Sequence, residues 1–269
     1  MKITVLVDNN TTFINQNFAG EPAAAYYVEI DDKRILFDTG YSDLLLKNAE
    51  EMGIDLGNIT HIVLSHGHDD HAHGLKYLAE KYDLSNVTFI AHPGCFLPKY
   101  DESGYIGSPF SEEEVSRMMK YIPAEKPFQI SENCLFLGEV PQVNAFETLT
   151  DMGILIKDGR KVTDYCREDS AMVCKTDKGL VIITGCSHCG ICNIISYASE
   201  LMNTDHYAAI IGGFHLLEND EKLDGTIEFL RKINADKLYP CHCISLKAKI
   251  RMAEKVDIEE TGVGTVVEI

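Results

Sequence analysis

"HIVLSHGHDDHAHG", residues 61–74, is the stretch on which the reading of this chain turns. An apolar run stops abruptly and is followed, from His66 to His73, by four histidines and two aspartates. Imidazoles this dense fit poorly in a core, and a plain surface gives no reason to collect them. "THIVLS" (60–65) has the composition of a short buried strand and "GLKYLAEKY" (74–82) has helical spacing. The cluster therefore sits at a strand-to-helix turn. His66 and His68, one residue apart at the end of an extended segment, project to the same side. The turn swings Asp70 and His71 back toward the same point. Imidazole together with carboxylate suits zinc, iron or manganese better than calcium or magnesium. Acid–base catalysis needs only one or two such groups. His66, His68, Asp70 and His71 are thus read as metal ligands, the bland alternative being a hydrated histidine-rich turn.

Working outward, the first part of the chain reads as strands: "KITVLVD" (2–8), "AAYYVEI" (24–30) and "KRILFDTG" (33–40). A helix fits Ser42 to Met52 with Ser42 as its N-cap. "VTFIAH" (87–92) is a further strand. Residues 93–131 hold five prolines and one capping box, Ser111-x-x-Glu114, and read as an insertion able to lie over a site as a lid. Strand patterns resume with a hairpin at 151–162, turning at Asp158-Gly159, and a second at 170–185. Helices at 190–202, 221–233 and 244–254 then alternate with strands at 207–213 and 237–240. Strand runs followed by helices, twice over, predict two halves packed sheet on sheet with helices outside, in one domain spanning 1–269.

Composition sets the bounds. The chain has 269 residues and a formal net charge of −18. A surface this acidic repels phosphate backbones, which argues against nucleic acid as partner. No basic run, secretory leader or membrane-length apolar stretch is visible, so a cytoplasmic protein with a small-molecule substrate, and no membrane partner, is expected. The oligomeric state is open. Nine cysteines, an odd number, argue against a secreted disulfide framework.

H-x-H-x-D-H after an apolar strand resembles the metallo-β-lactamase superfamily of metallohydrolases. "ILFDTG" (35–40) is similar to the D-T-G strand of that superfamily. The resemblance implies an αββα sandwich of two mixed β-sheets with helices outside and a two-metal site along its edge. It implies that Asp38 holds a ligand in place without binding metal itself. It also implies two divalent transition-metal ions, zinc first, with iron or manganese as alternatives. Many members carry T-G-D at the end of the strand that here reads "IITGCSHCGI" (182–191), so Cys186 stands where a bridging aspartate is usual. A T-P-G-H-T stretch is missing between 72 and 180, and His188 is the replacement for its histidine. Glu168 or Asp169 could also lean in. His242, in "YPCHC" (239–243), matches the last ligand, and His215, in "IIGGFHLL" (210–217), matches a catalytic position beyond the metals. His92 reads equally as substrate contact or loop residue, and His61, His73 and His206 as bystanders.

"VDNNT", "GCSH", "GGFHL" and "PCHC" together resemble the branch of 7,8-dihydropterin-6-methyl-4-(β-D-ribofuranosyl)aminobenzene-5′-phosphate synthase-like proteins. That branch places Asn9 and Asn10 near the site. Cys186, Cys189 and Cys192 read first as packed thiols, next with Cys186 as a soft ligand, and last as part of an iron–sulfur cluster. The resemblance implies hydrolysis or group transfer on a small phosphorylated or pterin-like metabolite. In that chemistry the metals lower the pKa of water, Asp70 orients the nucleophile and His215 protonates the leaving group. The rival is a diiron-type redox or metal-sensing protein, and a nuclease is opposed by the charge.

Overall fold

The structure, a computed structural model, describes residues 1–12 and 17–269. In chain order the strands begin with β1 (Lys2–Val7), β2 (Ala25–Ile30), β3 (Lys33–Phe37), β4 (His61–Val63) and β5 (Thr88–Ala91). There follow β6 (Lys99–Asp101), β7 (Gly104–Tyr105), β8 (Lys120–Pro123), β9 (Phe128–Ser131) and β10 (Cys134–Phe136). The last are β11 (Ile154–Lys157), β12 (Arg160–Thr163), β13 (Ala171–Thr176), β14 (Gly179–Thr184), β15 (Tyr207–Gly213), β16 (Leu238–Cys241) and β17 (Val266–Glu268). They form a seven-stranded sheet in the order β17-β1-β2-β3-β4-β5-β8, a six-stranded sheet in the order β16-β15-β14-β13-β10-β9, and a small sheet, β12-β11-β6-β7.

Alternation along the strands builds three apolar layers. Val5, Val28, Phe37 and Val63 of the first sheet meet Phe136, Met172, Val181 and Ile211 of the second. The residues between them point outward: Leu6, Leu36, Ile62 and Phe89 pack under helices α1 (Leu44–Glu51) and α3 (Leu75–Lys81), with the short α2 (Asp69–Ala72) before α3 and α4 (Glu112–Met118) after it in the chain. On the opposite face Val173, Ile182 and Ile210 pack under α5 (Ile191–Met202), α6 (Glu221–Ile233) and α7 (Leu246–Ala253). Both sheets are thus buried on both faces, and each fully buried aliphatic side chain contributes roughly 1.5–3 kcal/mol. This is the expected αββα sandwich.

Two local expectations change. Helix α1 starts at Leu44, because Ser42 Oγ accepts from Leu44 N–H at 3.1 Å and Glu21 Oε1 holds Ser42 N–H at 3.0 Å, turning the chain first. Residues 93–131 are not all an insertion. β8 pairs with β5 in the first sheet and β9 with β10 in the second. Pro123 is tolerated because β8 is an edge strand. Only the part before β8 is an excursion, and the Ile106 carbonyl within it accepts from Asp69 N–H at 2.9 Å.

β3, β4, β5 and β8 run parallel, as do β14, β15 and β16. Asp38, the 66–71 turn, Cys186, His215 and His242 all follow the carboxyl ends of these strands. In sheets of this kind that edge is where ligands collect. The two sheets come very close there: a Cβ on Gly185 would lie 2.0 Å from Ser65 Oγ, so no larger residue fits.

Candidate metal centre

The residues predicted as ligands gather in two adjoining groups. His66, His68 and His188 lie with Cys166 in one; Asp70, His71 and His242 lie with Cys186 in the other. Within each group the potential donor atoms are all within 4.8 Å of one another.

In the second group His71 Nε2 lies 3.1 Å from His242 Nε2, 3.2 Å from Cys186 Sγ and 3.4 Å from Asp70 Oδ2, and His242 Nε2 lies 3.3 Å from Asp70 Oδ2. Donors at about 2.0–2.3 Å from a tetrahedral zinc ion stand roughly 3.3–3.8 Å apart, so these separations are close to the edges of one coordination polyhedron. Hydrogen bonding behind the rings points the same way. His71 Nδ1–H donates to Asp38 Oδ2 at 2.7 Å, and His242 Nδ1–H donates to Asn9 Oδ1 at 3.1 Å. With both rings neutral, each turns an Nε2 lone pair inward, and two lone pairs cannot bond each other. A cation between them resolves the conflict.

The first group repeats the pattern. Ser65 donates to Asp38 through both N–H and Oγ–H, each at 2.7 Å, and Ser65 Oγ accepts from His66 Nδ1–H at 2.9 Å. Asp38 thereby orients candidate donor imidazoles in both groups, from a left-handed backbone with φ 58°. His66 Nε2, His68 Nε2 and both nitrogens of His188 are buried with no hydrogen-bond partner among the described residues. Orphaned buried nitrogens are costly, and their convergence fits a metal.

Electrostatics agree for the first group and differ for His71. Burial, then the neighbouring imidazoles, holds His66 and His188 well below the usual histidine range, so both are neutral electron-pair donors at pH 7. Burial alone would raise Asp70, but the His71 and His242 imidazoles outweigh it and hold the carboxyl well below its ordinary value. His71 moves the other way: burial lowers it, and Asp70 and Asp38 outweigh that.

Around the groups, Asp70 keeps 27% of its side-chain surface and His215 is half-buried, which marks the open side. The His215 ring stands 4.4 Å from that of His188, outside both groups. Burial, then the Lys222 ammonium, pushes His215 down to about 4, so at pH 7 it accepts a proton before it can give one. That revises the role of proton donor. Asp169 Oδ1 lies 3.7 Å from His66 Nδ1 and has no hydrogen-bond partner among the described residues, whereas Glu168 turns to Lys99 at 2.7 Å. His92 Nδ1 accepts from Gly94 N–H and caps a short helical turn, so it reads as a loop residue. His61, His73 and His206 lie outside both groups.

The cysteines separate sharply. Cys189 and Cys192 sit in the apolar layer under α5, which leaves the C-x2-C-x2-C run without a cluster geometry. Cys186 is not packed there and faces His71 instead, against the first reading of it. Cys166 was missed: a single thiol in "DYCRED", far from the other donors in sequence, gives no spacing signal.

An αββα sandwich with H-x-H-x-D-H at the carboxyl edge of its parallel strands defines a class, and the comparisons agree with it. A model of the metallo-beta-lactamase superfamily matches residues 19–143, and the chain belongs to that superfamily. Over 271 residues, 99% of this chain and 100% of the relative, it is 32% identical to an uncharacterized protein of Methanocaldococcus jannaschii. It is 28% identical to the 7,8-dihydropterin-6-methyl-4-(beta-D-ribofuranosyl)-aminobenzene-5'-phosphate synthase of the same organism, over 100% of this chain and 96% of that protein. The crystal structure of Tm1679, a metal-dependent hydrolase of the beta-lactamase superfamily, matches with a TM-score of 0.85 at 29% identity, covering 100% of this chain and 99% of that one. Among the described residues no helix is long and apolar enough to cross a membrane.

Proposed function

We propose that the protein is a metal-dependent hydrolase or transferase with a dinuclear centre, acting on a small phosphorylated or pterin-like metabolite. The observation that carries this is the pair of adjoining donor groups, in the first of which His66 Nε2, His68 Nε2 and both His188 nitrogens have no hydrogen-bond partner among the described residues. His66, His68 and His188 would hold one divalent ion, zinc first among the choices, and Asp70, His71 and His242, with Cys186, the other. When bound, such ions supply Lewis acidity and lower the pKa of water toward neutrality.

The chain's own residues do the rest. Asp38 and Asn9 fix the tautomers of the donor imidazoles. Asp70, at the open side, orients the attacking group. His215, neutral in the resting state, takes a proton and passes it to the leaving group. What supports this substrate class is the synthase relative, whose name joins a dihydropterin to an arylamine ribofuranosyl phosphate. The charge of −18 disfavours nucleic acid, and we place the protein in the cytoplasm.

The test is turnover by zinc-, manganese- and iron-loaded protein on phosphodiester, phosphomonoester, thioester and lactone substrates and on a dihydropterin with an arylamine ribofuranosyl phosphate. Metal-dependent turnover lost in Asp70→Asn is expected. Full metal loading with no turnover on any class would overturn the reading. One observation favours a metal-sensing protein instead: each group already offers four protein donors, as closed structural sites do. Turnover decides between them.

A further inference from the structure

Six of the nine cysteines, namely Cys95, Cys134, Cys174, Cys189, Cys192 and Cys241, belong to the apolar layers. Cys166 is fully buried yet belongs to none of them. A buried thiol usually behaves as a small hydrophobe. This one is surrounded by donors.

Its Sγ lies within 4.8 Å of donor atoms of His66, His68 and His188, whose unpartnered nitrogens converge on the same place. The backbone there is held against its preference. Cys166 has φ 47°, a left-handed conformation that a residue with a Cβ keeps only where the surroundings impose it. Its N–H donates to Asp164 Oδ1 at 2.8 Å and its carbonyl accepts from Asp169 N–H at 3.1 Å. The fully buried Lys99 ammonium grips the loop on both sides of it, at 3.1 Å from Asp164 Oδ2 and 2.7 Å from Glu168 Oε1. The turn sets the thiol beside the histidine group, where its Sγ–H donates to Glu168 Oε1 at 3.7 Å.

We propose that Cys166 is the fourth protein donor of the first metal position, which is therefore a closed His66–His68–His188–Cys166 set. The inference rests on the metal-centre reading above. On loading, the thiol gives its proton to solvent and the sulfur electron pair goes to the ion, with no change of oxidation state. A thiolate at this position, beside the one Cys186 offers at the other, favours zinc over the harder manganese. The second position also has four protein donors, and it is the one whose Asp70 faces the open side, where a substrate enters.

The experiment uses the full chain loaded with cobalt(II), as wild type, Cys166→Ser, Cys186→Ser and the double variant. The readouts are bound cobalt, the near-ultraviolet thiolate-to-cobalt charge-transfer absorbance, and the sulfur neighbours per metal from X-ray absorption of the zinc form. Where Cys166→Ser does not fold, by circular dichroism, Cys166→Ala replaces it, and the Cys186→Ser arm stands without either. Cys186→Ser is expected to keep roughly half of the wild-type charge-transfer intensity, Cys166→Ser to lose about half, and the double variant to lose it all. An intact band in Cys166→Ser, or no band in Cys186→Ser with its first position loaded, overturns the proposal and leaves the metal centre standing. Wild type that binds no metal overturns both.

Discussion

Asp38→Asn changes one atom and should damage both metal positions. The Ser65 N–H, 2.7 Å from Asp38 Oδ1, requires an acceptor there, so the new amide oxygen is fixed at that place. Its NH2 then faces His71 Nδ1 at 2.7 Å and Ser65 Oγ at 2.7 Å. His71 Nδ1 must become an acceptor, which moves its proton to Nε2, the atom facing Cys186 and His242. Ser65 Oγ must accept from the amide, so its own hydrogen turns to His66 Nδ1 and moves that ring's proton to Nε2 as well. Flipping the amide only transfers the clash to Ser65 N–H. Loss of a partner behind a ligating histidine costs about 10–100-fold in metal affinity, or about 1.4–2.7 kcal/mol per ion. Competition titration against a chromophoric chelator would measure it, with circular dichroism checking the fold. A folded variant with unchanged dissociation constants at both positions would refute the tautomer argument.

His68→Ala and Asp70→Asn should each abolish turnover while the fold persists, because both residues lie at the sheet edge; near-normal rates in either would sink the dinuclear mechanism. His188→Ala should lose at least one metal ion by elemental analysis, whereas Cys186→Ser should retain both with altered activity; the reverse pattern would exchange their roles. In chelator-treated protein Cys243, the one cysteine that is not buried, should be alkylated first, since its pairing with the Cys186 thiol outweighs burial and brings it down to about 6. Peptide mapping should therefore show its labelling rising through pH 6. Burial would raise Asp164, but His68 and Lys99 outweigh it and set it at about 2, below an unfolded value of about 3.9. A depressed carboxylate stabilises above the unfolded pKa and loses that contribution as pH falls toward 2, here about 3 kcal/mol at most. Acid unfolding of metal-free protein should show this dependence between pH 4 and 2, and Asp164→Asn should lack it.

The parts of the molecule that could be read in the sequence are those with a periodic or local cause. Strand β15 and helix α6 fall on their predicted bounds because a continuous apolar run and a 3.6-residue pattern each carry their own signal. The Ser111 capping box forms as expected for the same reason. H-x-H-x-D-H is legible because its ligands are neighbours in the chain. β8 and β9 were hidden in a proline-rich stretch, since an edge strand can carry a proline that a central one cannot. Asn9 behind His242 came only from family resemblance. Cys166 had no signal at all, because a donor supplied by a tertiary turn leaves no spacing to find.

The second donor group also bears on the order in which the molecule is made. His71 meets Cys186 across 115 residues and His242 across 171. A chain still emerging from the ribosome therefore holds only His66, His68, Asp70 and His71, and half-sites capture ions weakly. Unlike a zinc finger, whose ligands are near neighbours and whose folding the ion drives, this sandwich has to close both sheets first. Once closed, an ion held by either donor group would bridge the two halves, and neither sheet could open without releasing it. Metal would then act as a late latch on a finished fold, slowing unfolding far more than it speeds assembly.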